Sequence, residues 1–269
     1  MTGWKGVLIA IAVVLLPAGA QADPQTPPPT AQEAATPAAE TAPAAPPAPP
    51  ARERPEISPE LRHVLDKLDE ANAALVDVQA RVTYTRLIEL LDDKRKSKGS
   101  LIFKKPNLLV LDLKKPRNEE VRTNGRTWWV VQHNDEQVEV YQAAAEGQNS
   151  GRETAFLAFG YGRSSEEILE DYDAELLSVT PPEDEDEETF YRVKFTPVER
   201  PDEPAQYESI EVEIGDKLWL PHELTLREPG GGIVHIYELR KMKLNKGVKD
   251  DKFEYEPPSD YHVRNMNEP

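Results

Sequence analysis

No cysteine occurs anywhere in the chain. Its absence excludes disulfides, thiolate metal sites, cysteine nucleophiles and iron–sulfur ligation. It also excludes anchoring through a lipid-modified N-terminal Cys. Basic residues are in deficit, with 32 Lys and Arg against 49 Asp and Glu and a net charge of −17. Binding a phosphate backbone needs a basic face, so nucleic acid is not expected as a partner. Hydrophobic residues make up only 38% of the 269 residues, and aromatics 7%. Part of the chain is therefore expected to stay outside any packed core. Apolar runs are short too. Val7 to Leu16 gives ten residues, well below the roughly 20 that a membrane-spanning helix requires.

What is present at the N-terminus has the three-part layout of a cleavable secretory signal. Lys5 supplies the positive charge, the apolar run follows, Pro17 and Gly19 break it, and Ala20-Gln21-Ala22 precedes Asp23. Residues 1–22 are read as that signal, which implies export. Of the 33 residues from 23 to 55, eleven are Pro and ten are Ala. Such a segment has little apolar area to bury, and an extended, semi-rigid linker is expected. The remainder, 56–269, is read as one domain that holds nearly all the acidity.

That domain opens with a helix. Ser58 is a good N-cap, Pro59 suits the first helical position, and Glu60 favours the helix dipole. Leu61, Val64, Leu65, Leu68 and Leu75 then recur at helical spacing. From Val78 onward short strands are predicted at 82–90, 100–104, 108–114, 121–123, 126–132 and 137–142. Asn124-Gly125 predicts a type I′ hairpin, because both residues tolerate positive φ. A helical interlude is predicted over about 152–175, with a start at Ser165-Glu166-Glu167. Strands resume at 190–196, 207–214, 218–227 and 233–244, with a last edge strand at 253–256. Gly215-Asp216 and Gly230-Gly231-Gly232 mark turns, and the acidic run Glu183 to Glu188 reads as a solvated hairpin loop. The fold expected is α+β, with one large, strongly curved antiparallel sheet.

Catalytic chemistry is hard to find. The five histidines are His63, His133, His222, His235 and His262, and no pair has metal-ligand spacing. There is no nucleophile elbow, P-loop or dinucleotide fingerprint. A non-enzyme without metal or cofactor is expected. More informative is the placement of apolar residues within strands. Leu101 and Phe103 share one face while Ile102 lies on the other. Leu109, Leu111 and Leu113 share a face while Leu108 and Val110 take the opposite one. Trp128-Trp129-Val130-Val131 is apolar on both faces. Helices can cover one face of such a sheet. The other needs a second cover or holds an apolar ligand.

Four stretches in order carry a family resemblance. Leu101-Ile102-Phe103-Lys104-Lys105-Pro106-Asn107-Leu108-Leu109, the hairpin from Val121 to Trp129, Phe190 to Val198 with Thr196-Pro197, and Phe253-Glu254-Tyr255-Glu256-Pro257-Pro258 resemble periplasmic outer-membrane lipoprotein carriers of the LolA type. The resemblance spans about 58–263. It implies an incomplete barrel whose concave side is covered by helices, with a hydrophobic cavity that receives acyl chains of lipoproteins, and so it implies that the second apolar face of these strands is a lipid-binding surface. It implies a soluble periplasmic carrier working between an inner-membrane lipoprotein-releasing transporter and an outer-membrane receptor, and a monomer is expected. Lys105 stands where the family has an arginine that holds the helical lid closed, although lysine lacks the guanidinium fork. Leu101, Phe103, Lys105, Leu109, Leu111 and Trp129 are the residues expected to meet lipid. A charge introduced at Leu109 is expected to disturb cargo handling and spare the fold. The alternative is a lipid- or lipoprotein-sensing regulatory module of the same fold. The lipid-anchored receptor of this fold is disfavoured by the missing cysteine.

Overall fold

The structure is a computed structural model that describes residues 55–142, 159, 161–184, 187–200 and 205–266. The expected signal, nearly all of the linker, and the start of the helical interlude lie outside the described residues.

Helix α1 (Pro59–Ala74) begins as the sequence implies. The Ser58 side chain accepts a hydrogen bond from the Leu61 amide at 3.1 Å, and Pro59 takes the first turn. Leu61, Val64, Leu65 and Leu68 form its buried stripe. Strands β1 (Asp77–Ile88), β2 (Asp93–Lys104), β3 (Leu108–Leu113), β4 (Glu119–Asn124), β5 (Thr127–Gln132) and β6 (Gln137–Gln142) follow as successive hairpins. At the β4–β5 turn only Gly125 takes positive φ, at 86°. Asn124 acts through its side chain instead, accepting from the Arg126 and Thr127 amides, so the type I′ expectation is corrected. Gly99 in β2 is required by close approach, since a Cβ there would lie 2.0 Å from the Asp112 carbonyl oxygen.

Among the described residues the helical interlude ends earlier than expected. Helix α2 (Ser165–Asp171) has a capping box between Ser164 and Glu167. Strand β7 (Tyr172–Thr180) then replaces the expected helical tail. Its Glu, Ala and Leu residues are good helix formers, but pairing with β8 (Phe190–Pro197) overrides that preference. Strands β9 (Ser209–Gly215), β10 (Pro221–Arg227) and β11 (Ile233–Leu244) complete the return. Where the last edge strand was expected, at 253–256, a 3-10 turn (Asp250–Phe253) ends and the chain continues without strand pairing. The final strand, β12 (His262–Asn265), comes later and pairs parallel to β6.

Among the described residues, twelve strands form one open, curved sheet in the order β12-β6-β5-β4-β3-β2-β1-β11-β10-β9-β8-β7. Every pairing except β12–β6 is antiparallel. Helices α1 and α2 sit on the concave face, where residues of β1 to β5 and β8 to β11 join α1 and Ile168 of α2 in the main core.

The opposite face of β2 to β6 is also covered, by the chain's own C-terminal segment. Phe253, fully buried, packs with Val110, Val248, Ile102 and Leu108. Tyr255 and Tyr261 pack on Trp129, Val131, Val138 and Val140. Arg122 ties this cover down by donating to the Lys252 and Glu254 carbonyls, both at 2.9 Å, with its guanidinium 5.3 Å from the centre of the Tyr255 ring. The two apolar faces thus have two protein covers. The second apolar face of these strands is occupied by the chain itself, which corrects its reading as a lipid surface.

Candidate functional site

Strand register gathers most of the expected residues on the concave face. Phe103 pairs with Leu109, Leu109 with Thr123, Thr123 with Trp128, and Trp128 with Tyr141. The next row runs Leu101, Leu111, Val121, Val130. Leu101, Phe103 and Leu109 are each 1% exposed, and Leu111 is 4% exposed. This apolar floor lies beneath a lid made of the buried stripe of α1, Ile168 of α2, and two aromatic side chains that precede α2.

Those aromatics, Phe159 and Tyr161, fill the interior. Phe159 packs at 4.8 Å from Phe195 and 5.4 Å from Tyr172, measured between ring centres. Tyr161 meets Phe103 edge-on at 5.8 Å and donates its hydroxyl to the Pro221 carbonyl at 2.9 Å. Burial pushes its phenol pKa far above the ordinary tyrosine value. Tyr161→Phe leaves that buried carbonyl without this donor and is expected to cost about 1–2 kcal/mol, readable as a lowered denaturant midpoint with unchanged slope.

Lys105 follows β2 directly and closes the floor against the lid. Its amide donates to the Val76 carbonyl at 2.9 Å, and its ammonium donates to the Asn72 carbonyl near the end of α1. A cation at a helix C-terminus is favourably placed against the dipole. Burial pulls the Lys105 ammonium below the usual lysine pKa. The Asn72 side-chain amide donates to the Arg163 carbonyl at 3.3 Å, and the Asp69 carboxylate accepts from the Ser165 amide at 2.8 Å. Lys105, α1 and α2 are therefore linked in series. Beside the start of α1, a cleft of about 450 Å³ lies between Ser58, Leu61, Asp173, Ala174, Leu176 and Thr196. Leu61 and Leu176 also belong to the main core, so this cleft borders the interior.

Trp129 does not join the others. It pairs with Arg122 and Val140 on the opposite face, 5.9 Å from Tyr255 between ring centres, and its placement on the lipid-facing set is corrected. Strand period puts adjacent tryptophans on opposite faces, and the register selects Trp128 for the interior. Counting pairs outward from Leu109 through the Asn124-Gly125 hairpin identifies Trp128. Phe159 and Tyr161 carry a weaker signal, an aromatic pair spaced by Gly160 in an otherwise featureless stretch.

An open sheet wrapped around an apolar floor and lidded by α1 and α2 defines a class, the lidded half-barrel. Residues 88–256 match the family described as outer membrane lipoprotein carrier protein LolA, and the chain belongs to that family. Among solved structures, an uncharacterised conserved protein from Thermus thermophilus is 11% identical over 77% of this chain and 99% of its own, with a TM-score of 0.47. A LolA superfamily protein from Nitrosomonas europaea is 15% identical over 72% of this chain and 97% of its own, with a TM-score of 0.38. In the Pseudomonas aeruginosa MucA/MucB complex, the matched chain is 14% identical over 75% of this chain and 62% of its own, with a TM-score of 0.40. At these identities and TM-scores none of them transfers a role to this chain. No curated protein matches it.

Proposed function

We propose that this protein binds the acyl chains of lipoproteins on its concave face and carries them across the periplasm from the inner to the outer membrane. In this reading residues 1–22 are the export signal, 23–55 a spacer, and 56–269 the carrier domain. An inner-membrane releasing transporter and an outer-membrane receptor are its partners. Family membership makes lipid or lipoprotein binding the expected role. The observation that carries the reading here is the continuous floor of Leu101, Phe103, Leu109, Leu111 and Trp128 under a lid pinned by one ammonium.

The energetics suit a carrier. Helix α1 is held mainly by four buried aliphatic side chains, each contributing about 1.5–3 kcal/mol. An acyl chain that displaces them replaces apolar contact with apolar contact, and about ten of its methylenes bring about 8 kcal/mol. The lid's polar links contribute about 1 kcal/mol each. Loading and closure are thus of comparable strength, so cargo competes with the lid and does not become trapped. The cleft beside Ser58, Leu61 and Leu176 is the margin where the lid parts. Lys105 works on this balance as the pin.

Two measurements test this. Material bound to the protein purified from periplasm, read by mass spectrometry, should include acylated protein, and the protein should extract a lipoprotein from inner-membrane vesicles. Recovery of no acylated species together with failed extraction sinks the reading. A sensor module would bind the cargo yet fail to pass it to outer-membrane vesicles. Lys105→Met removes the pin and keeps the packing, so a fluorescent acyl probe should bind about fivefold tighter as the open population rises, while the melting temperature falls by about 2–4 °C. Unchanged probe affinity would take Lys105 out of the lid.

A further inference from the structure

The β1–β2 hairpin ends in a tip that the carrier reading does not use. Leu90 and Leu91 sit at its apex, 90% and 72% exposed. They are the two most exposed large hydrophobic side chains among the described residues. Immediately behind them come Lys94, Arg95, Lys96 and Lys98, all exposed. Strand period sets Lys94, Lys96 and Lys98 along one face, while Arg95 stands opposite Arg86 on the other. Strand β3 reaches only to the Gly99–Leu113 pair, so the Asp93–Lys98 rungs project beyond it.

The tip is built, and held. The Glu89 amide donates to the Gly232 carbonyl at 3.0 Å, and the Glu89 carboxylate pairs with Arg227 at 2.9 Å. Asp92 turns the chain with a φ of 47°. Of the three local acids, Glu89 is paired with Arg227 and Asp93 with Arg95 at 3.0 Å, leaving Asp92. Among the described residues no carboxylate forms an ion pair with Lys94, Lys96 or Lys98. The turn after β3 adds Lys115 near Lys98, while Lys114, whose amide donates to the Lys98 carbonyl at 2.8 Å, is itself ion-paired with Asp112.

We propose that this hairpin tip docks the protein on an anionic lipid bilayer, with Leu90 and Leu91 entering the interface and the lysines behind them meeting headgroup phosphates. Charge complementarity decides the occupant. A chain of net charge −17 is repelled by an anionic surface unless it approaches through a locally basic face. Two leucines at an apex offer too little area for a stable protein interface, which needs about 800 Å² from each partner. They suit insertion at the depth where acyl chains begin, with long basic side chains keeping their charges in the headgroup layer. Bracing by Gly232 and Arg227 means that little order has to be gained on contact. The contact does not depend on whether the concave face takes acyl chains.

The test is co-sedimentation of the full chain with phosphatidylcholine vesicles, with and without phosphatidylglycerol. Binding is expected only with phosphatidylglycerol, and it should weaken steeply with salt. Lys94→Gln/Lys96→Gln/Lys98→Gln should bind such vesicles about a hundredfold more weakly, from about fivefold per charge removed. Leu90→Ser/Leu91→Ser should lose at least tenfold while melting like the parent, since both side chains are solvent-exposed. Absence of binding to phosphatidylglycerol vesicles, as a protein partner at this tip would give, overturns the proposal. So does a serine variant that binds like the parent. Acyl-probe binding measured on the same variants reports the concave face separately.

Discussion

Leu109→Glu is expected to be unfolded at neutral pH. Leu109 is 1% exposed, between Phe103 and Thr123 on the concave face, in an apolar core whose polar neighbour Thr123 already has its hydroxyl engaged by the Gly125 amide. An unpaired carboxylate there costs several kcal/mol, a large part of the 5–15 kcal/mol that holds a typical domain together. Burial would raise its folded-state pKa above the unfolded value of about 4.3. The penalty is complete above the raised value, shrinks as pH falls below it because the folded state takes up the proton first, and is gone below about 4.3, where the unfolded chain is protonated too. Near-ultraviolet circular dichroism should therefore show no fixed tertiary signal at neutral pH and partial recovery on mild acidification. Leu109→Met, which conserves volume, should cost less than about 1.5 kcal/mol. A Leu109→Glu protein that is fully folded at neutral pH would place that side chain in solvent. The resemblance, which sets Leu109 on a cavity wall, implies that the charge spares the fold; strand pattern does not decide, because an open cavity wall and a packed floor have the same alternation.

The second large effect is at the hinge of the C-terminal cover. Asp77, fully buried at the start of β1, accepts from the amides of Lys246, Gly247 and Val248 at 2.9, 2.8 and 3.3 Å. Asn245, with a φ of 55°, reaches back to accept from the Val76 amide and donate to the Ala74 carbonyl. Asp77→Ala leaves three amides without this acceptor, and each buried one costs about 1–3 kcal/mol. The expected loss is about 4 kcal/mol, or about 8–16 °C in melting temperature. Asp77→Asn keeps one acceptor oxygen and should lose less than half as much. Amide exchange should accelerate first at 246–248, because the cover detaches there before the sheet opens. A melting temperature within a degree or two of the parent would show that the segment is held elsewhere, by Phe253 and Arg122.

Much of this architecture is legible in the residues, and the gaps have physical reasons. Ser58-Pro59 starts α1, and the glycines at 125 and 230–232 mark turns, because these signals are local. The edge strand β7 is not legible, since its residues favour helix until β8 supplies a partner. The two faces of Leu108–Leu113 are visible as two apolar sets, yet alternation does not say which set meets helices and which meets Phe253. That choice depends on contacts between residues far apart in sequence, and so does the assignment of Trp128 and Trp129 to opposite sides. Lys105 is legible only through its family position. Its link to the Asn72 carbonyl depends on how α1 lies across the sheet.

The pairing of β6 with β12 and the seat of Phe253 on Val110 also set a timetable. A chain emerging from its N-terminal end completes β3 to β6 more than a hundred residues before their outer cover exists. Through that interval Val110, Trp129, Val131 and Val140 form a bare apolar strip on a sheet whose β6 edge is unpaired. Distant pairings of this kind close slowly, and open strand edges recruit other chains. Until residues 248–265 fold back, the outer wall of β3 to β6 is an apolar surface open to association.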